Sequence, residues 1–316
     1  MNAASVGAVP EVPHVCVLMA THNGAPWLDV QIDSVLAQTG VSVRLVISDD
    51  ASTDGTADLL RSRAAADRRI AVIEHDRRFG SAARHFYFLL EHAPRDPGLL
   101  YALADQDDIW HADKLQRHAD ILRRTGVQAV SSDVTAFWPN GRSVKIRKSF
   151  AQKRWDYLLE PPGPGCTFLM RAEVVERCRS VLDALAASGR EPLPYHDWMI
   201  YLVARASGMR WSIDAWPSLL YRQHDRNEVG AHVGWRATRH RLRRLASGEY
   251  AGLVRQAIAI ALMCEHRPGA AAPHLRTLDL LLHGRRRWRD AVIATLSMPR
   301  GVGVVGRREH DRPEVP

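Results

Sequence analysis

Through the first half of the chain, short apolar runs alternate with segments whose apolar residues recur every three or four positions. The runs are Val15–Ala20, Val43–Ile47, Ile70–Ile73, Leu99–Ala104 and Val127–Val130. Without polar alternation, such runs read as parallel strands buried on both faces. Between the first two, the spacing of Leu28, Ile32, Val35 and Leu36 predicts a helix over Pro26–Gln38, with Pro26 suited to its first turn and Gly40 to its stop. Thr53–Ala66, Ser81–His92 and Ala112–Arg124 repeat the pattern. Strand and helix alternating over short connections predict a doubly wound α/β sheet.

After Pro139–Asn140–Gly141 the alternation breaks down into a basic stretch (Lys145, Arg147, Lys148, Lys153, Arg154) and a Pro/Gly cluster, Pro161–Gly165, which read as loop. A second strand and helix follow at Thr167–Met170 and Ala172–Ala187, then a helix around Trp198–Ala206 and a strand near Trp211–Ile213. From Trp235 onward the pattern is helical and Arg-rich, and the stretch after Pro299 is expected to be disordered.

Composition changes this picture little: 46% hydrophobic and 25% charged residues over 316 positions describe an ordinary globular chain. Cys16, Cys166, Cys178 and Cys264 lack the spacing of a zinc site or disulfide framework, so a reducing, cytoplasmic setting is expected. No basic-then-apolar leader opens the chain, and no uncharged apolar run approaches the roughly 20 residues of a spanning helix. The net charge of +8 matters more for its location: residues 231–316 hold 16 Arg, no Lys and 7 acids, which leaves the rest near neutral. That asymmetry argues against a nucleic-acid-binding surface spread over the fold and predicts an acidic body with a basic extension.

The sharpest chemistry is Asp105–Gln106–Asp107–Asp108, directly after the run Leu99–Ala104. Carboxyl ends of strands are where open α/β sheets bind ligands, and a divalent cation relieves the repulsion among three such carboxylates. An acidic turn capping the next helix through Asp108 is the competing reading. Asp49–Asp50 closes the second strand, where a carboxylate suits an imide N–H of a base; helix capping accounts for Ser52, Thr53 and Asp54 but not for the adjacent pair. Thr21–His22–Asn23–Gly24 closes the first strand without GxGxxG or a P-loop, which weighs against hydride transfer and ATP hydrolysis. Asp197, opening an apolar helix, suits a general base or a dipole-stabilising acid, and Arg222 and His224 could both face an anionic leaving group.

These stretches together resemble the family 2 glycosyltransferases, and most closely a rhamnosyltransferase-like branch acting in bacterial surface polysaccharide or O-antigen assembly. The motifs that carry the resemblance are Ala20–Gly24, Asp49–Thr56, Gly80–Ala82 before Phe86, Ala104–Trp110 with Asp113–Leu115, Gly165–Phe168, His196–Trp198 and Tyr221–His224. The resemblance implies a GT-A fold over residues 14–234, with a nucleotide-sugar half (14–130) and an acceptor half (131–234). They would follow an N-terminal tail (1–13) and precede a basic helical extension (235–298) and a tail (299–316). It implies that Thr21, Asn23, Asp49, Asp50, Asp105, Gln106 and Arg222 bind the nucleotide-sugar donor. It further implies that Asp107, Asp105 and His224 hold Mg²⁺ or Mn²⁺, and that Asp197 is the catalytic base of an inverting transfer. The acceptor would be a glycan or a polyisoprenyl-linked sugar, and the basic extension would offer peripheral membrane contact. His22 and His85 stand where the family commonly has Tyr and Asn, and Asp225 follows His224 where a small residue is frequent. A nucleotidyltransferase, which needs a Gly-rich basic loop after the first strand, and a nucleic-acid-binding protein, which leaves Asp105–Asp108 without a role, fit less well.

Overall fold

The apolar runs become the centre of one sheet. In a computed structural model that describes residues 12–224 and 249–264, β1 (His14–Thr21), β2 (Ser42–Asp49), β3 (Ile70–Ile73) and β4 (Leu100–Ala104) lie parallel in the order β3-β2-β1-β4. The expected doubly wound pattern holds to this point and then changes. β8 (Leu169–Arg171) pairs antiparallel with β4, β6 (Ala129–Phe137) antiparallel with β8, β9 (Trp211–Arg222) parallel with β6, and β5 (Ile109–Trp110) closes the row against β9. The sheet is therefore mixed. The stretch read as loop after Gly141 contains β7 (Ser143–Ile146), a hairpin partner of β6, and the Val127–Val130 run is only the start of a nine-residue strand.

Strand side chains alternate between two cores. Val15, Val17 and Met19 of β1 face one side, where α1 (Ala25–Leu36), α2 (Thr56–Ala66) and α4 (Lys114–Thr125) place Leu28, Ile32, Leu60, Leu115 and Leu122. Cys16 and Leu18 face the other, which is covered by α3 (Ala82–His92), α5 (Ala172–Ala187), α6 (His196–Ala206) and α7 (Glu249–Cys264). All four cysteines are buried and lie outside any disulfide.

α7 changes the picture of the basic extension. It contains a single basic residue, Arg255, and buries Val254, Ala257, Ile260, Ala261 and Cys264 in the core it shares with α5 and α6. Tyr250 donates to the Leu159 carbonyl at 2.7 Å, and Arg177 to that of Cys264 at 2.9 Å. Leu253 and Ile258 are packed against the body, and Leu262 is exposed. The Arg-rich stretches 239–244 and 285–289 and the tails lie outside the described residues. No helix among the described residues is long and apolar enough to cross a membrane.

Candidate active site

The ends of β1, β2 and β4 meet in a mesh of loops. Thr21 Oγ1 donates to Asp49 at 2.8 Å, and the same carboxylate accepts the Ser52 hydroxyl at 2.6 Å and the Ser52 N–H at 2.9 Å. Asn23 donates its N–H to Ser52 Oγ at 2.7 Å and accepts the Thr53 N–H at 2.8 Å. Ser52 and Thr53 are thus committed to the β1–β2 mesh rather than to capping α2, whose N-cap is Gly55. Two non-glycine residues, Asn23 (φ 49°) and Ala51 (φ 51°), sit in the left-handed region beside these strand ends, a strain that clusters at functional loops.

The adjacent acids do different work. Asp50 is buried and its two oxygens accept the Phe79 and Gly80 N–H groups at 2.5 and 2.9 Å, which fixes the β3–α3 loop. Asp49 stays at the rim. Behind them Ser48 Oγ lies between His75 Nε2 (2.8 Å) and His85 Nε2 (2.7 Å), and burial holds His85 down at about 4. Gln106 accepts the His22 N–H at 2.8 Å and donates to the His22 carbonyl at 2.9 Å. Gly24 is required by this clamp, because a Cβ there would overlap Gln106 Oε1.

Beyond Ala104 the chain turns through the acids and reaches the two-residue strand β5. Asp107 Oδ2 lies 2.7 Å from His224 Nε2, and the His224 ring stacks on Trp27 at 4.1 Å between centroids. Arg222 donates through Nε to the Asp107 carbonyl at 2.7 Å and through its N–H to Asp108 Oδ1 at 3.2 Å, with its guanidinium 4.7 Å over the Phe137 ring. Asp108 is fully buried, and its Oδ2 has no hydrogen-bond partner. It does not cap α4, whose N-cap is Asp113; burial, with Asp107 and Asp105 nearby, pushes its carboxyl well above the usual range. Ligand atoms of Asp105, Asp108 and Cys166 lie within 4.8 Å of one another. The Asp107 carboxylate beside the His224 imidazole suits a hard or borderline divalent cation, and a cation beside this turn would offset the charges of Asp107 and Asp105 that add to burial in pushing the Asp108 carboxyl up.

Asp197 belongs to the other half. It opens α6, where its carboxylate accepts the Trp198 N–H at 2.7 Å, and its charge, after burial, adds to the upward push on the Tyr87 hydroxyl. His196 stacks on Phe86 at 4.1 Å. On its other side stands the 3-10 turn Gly165–Thr167, and a Cβ at Gly165 would overlap His196 Nε2. The structure therefore brings Asp107, Arg222 and His224 into one cluster, sets Asp105 with Asp108 and Cys166 next to it, gathers Thr21, Asn23 and Asp49 on the neighbouring strand ends, and places Asp197 across the Gly165 turn.

Two contributors carry no assigned role in the sequence reading. Trp27 supplies the platform for His224. Lys114, the first residue of α4, is fully buried; its Nζ donates to the Cys166 carbonyl at 2.5 Å and lies 3.0 Å from the Trp110 ring centroid. Burial pulls its ammonium down to about 7 against the opposing pull of Cys166, Asp108 and Asp105. A cation in a helix's first turn runs against the dipole, and that is the signal by which the sequence marks it.

A parallel half-sheet with acids at its strand ends, joined to a mixed half against which a helix carries a carboxylate, defines an α/β nucleotide-sugar transferase domain of the GT-A type. The chain belongs to glycosyl transferase family 2, whose model matches residues 16–179. It is 34% identical over 226 residues to the dTDP-rhamnosyl transferase RfbG of Shigella flexneri, covering 71% of this chain and 78% of that protein. It is 28% identical over 155 residues to WfgD of Escherichia coli, a UDP-Glc:alpha-D-GlcNAc-diphosphoundecaprenol beta-1,3-glucosyltransferase, covering 48% of this chain and 57% of that one. Among solved structures, S. aureus TarS in complex with UDP-GlcNAc shares the fold, with a TM-score of 0.51 at 14% identity over 88% of this chain and 79% of that one. The protein is a glycosyltransferase.

Proposed function

We propose that this glycosyltransferase moves a sugar, with inversion, from a nucleoside-diphosphate donor to a hydroxyl of a glycan or polyisoprenyl-linked acceptor. The observation that carries the reading is the pairing of Asp107 with His224 at 2.7 Å on a turn that Arg222 clamps by its backbone. The name of the RfbG relative favours dTDP-rhamnose as donor, and that of WfgD favours a lipid-diphosphate-linked acceptor. Thr21, Asn23 and Asp49 would face the nucleoside. Asp50 and Gln106 act one step back, through the loops they hold.

Asp107, Asp105 and His224 would hold Mg²⁺ or Mn²⁺, which lends positive charge where the leaving diphosphate gathers negative charge. Asp197 takes the acceptor's hydroxyl proton as that oxygen attacks the anomeric carbon. The new C–O bond forms on the face opposite the leaving group, the anomeric C–O bond to phosphate breaks with its electron pair going to the nucleoside diphosphate, and the configuration inverts. Arg222, already fixed against Phe137 and the Asp107 carbonyl, turns its guanidinium charge toward that diphosphate. An anionic membrane surface is a further partner on charge alone, through the Arg-rich stretches 239–244 and 285–289.

Thermal stabilisation by nucleoside diphosphates with Mn²⁺ tests the reading. We expect the largest shift with dTDP, and Asp197→Asn should keep that shift while turnover falls by roughly 100-fold or more, as for loss of a general base. No shift with dTDP, UDP or GDP overturns the donor assignment, and equal loss of binding and turnover in Asp197→Asn overturns the base.

A further inference from the structure

Lys114 stands where three pieces of the chain meet: the acidic turn Asp105–Asp108, the β5 tryptophan Trp110, and the turn Gly165–Thr167. Its ammonium is bonded to the Cys166 carbonyl at 2.5 Å and covered by the Trp110 ring at 3.0 Å, and the charges of Asp108 and Asp105 act on it. The turn it grips is the one against which His196 packs, with no room for a side chain at Gly165. His196 is followed directly by Asp197. One buried side chain thus links Trp110, two residues past the acidic turn, to the Gly165–Thr167 turn, and through it to the helix bearing the carboxylate of the other half. Packing alone does not ask for this residue: an apolar side chain of similar length fills such a volume without the desolvation penalty of a buried cation. What an ammonium adds is a directed donor to a specific carbonyl, together with a charge beneath the carboxylates.

We propose that Lys114 is a positioning residue, a strut that sets the separation between the acidic turn and the Gly165–Thr167 turn and thereby the distance from Asp105 and Asp107 to Asp197. The inference rests on reading the former as donor-side groups and Asp197 as the base. Displacement of a reacting group by about 1 Å can cost on the order of 100-fold in rate, so the strut governs turnover more than donor binding.

The test compares wild type, Lys114→Met and the double variant Asp108→Asn/Lys114→Met by hydrogen exchange and by kinetics. In Lys114→Met, exchange in peptides covering residues 105–110 and 165–168 should quicken by roughly tenfold or more while α3 is unchanged. Donor KM should stay within about threefold while kcat falls roughly 10- to 100-fold. The double variant replaces the buried carboxyl left without its cation, and the amide oxygen it introduces at position 108 still accepts the Arg222 N–H. It should regain wild-type unfolding midpoints, yet keep the loose 165–168 turn and the low kcat, because the tether to the Cys166 carbonyl is still missing. If Lys114→Met fails to fold, the double variant carries the test alone. Wild-type exchange at 165–168, loosening spread evenly over the sheet, or full recovery of kcat in the double variant overturns the strut. The exchange result needs no substrate, so a failed donor assignment in wild type is seen separately.

Discussion

His118 lies one turn beyond Lys114 on α4, fully buried, and neither ring nitrogen has a hydrogen-bond partner. Burial, with the nearby Lys114 charge, holds its pKa down at about 3, against an ordinary value of 6.5. In the unfolded chain the ring takes up a proton as pH falls through 6.5, while in the native state it refuses one. The native state therefore loses stability on acidification, at a slope of about 1.4 kcal/mol per pH unit below 6.5, or about 2 kcal/mol by pH 5. Above pH 7 the ring is neutral in both states and contributes nothing to the slope. His118→Leu removes the titration and the two orphan nitrogens together. Urea unfolding at pH 7.5, 6.5, 5.5 and 5.0 should show the variant losing about 2 kcal/mol less than wild type between the extremes. His85, held at about 4 by its own burial, sits in both proteins and cancels in the difference. So does Asp108, whose raised carboxyl pKa pulls the slope the other way. Parallel stability curves for the two proteins would refute the argument, since the native ring would then be taking up its proton near the ordinary pH.

Two further substitutions probe the frame of the site. Gly24→Ala should push the Gln106 amide off His22, costing about 1–2 kcal/mol for two lost hydrogen bonds and weakening nucleotide-induced thermal stabilisation; an unchanged shift would show that the clamp is dispensable. Arg179→Met should cost about 2–4 kcal/mol in urea unfolding. Its guanidinium donates at 2.6 Å to both the Leu90 and Ala93 carbonyls at the end of α3, which would be left buried and unpaired. A loss below about 1 kcal/mol would show that water or a neighbour takes over those carbonyls.

The parallel half of the fold is legible in the sequence because strands covered on both faces must be apolar where they are buried, as Val15–Met19, Leu45–Ile47 and Tyr101–Ala104 are. The other half hides its strands behind polar residues. β6 carries Ser131, Ser132 and Asp133, all buried. Each has a distant partner: Trp211 Nε1 for Ser131, the Ser218 hydroxyl for Ser132, and the Lys148 and Ser149 N–H groups for Asp133. β9 runs through Pro217, which the sheet tolerates where its register against β6 shifts. The acids of the site are legible because carboxylates at strand ends are conspicuous. The difference in work between Asp49 and Asp50 is not, since it depends on which one faces the Phe79–Gly80 loop. Nor is the stacking of Trp27 on His224, which joins the two ends of the domain.

The Gln106 amide is a copy of a peptide group: one donor and one acceptor, held edge-on to the His22 backbone as a neighbouring strand would hold it. Backbone pairing of β1 with β4 stops at Met19 and Ala104, and the side chain supplies a further rung past that point. A ladder finished by a side chain ends without committing the next main-chain groups to the sheet, so the chain is released to turn at Asp105. Glutamate, the nearest shape, would break the donor side of that rung and set a fourth carboxylate among three. The choice between two nearly identical side chains at position 106 thus decides whether the strand's end is a terminus or a hinge of charge.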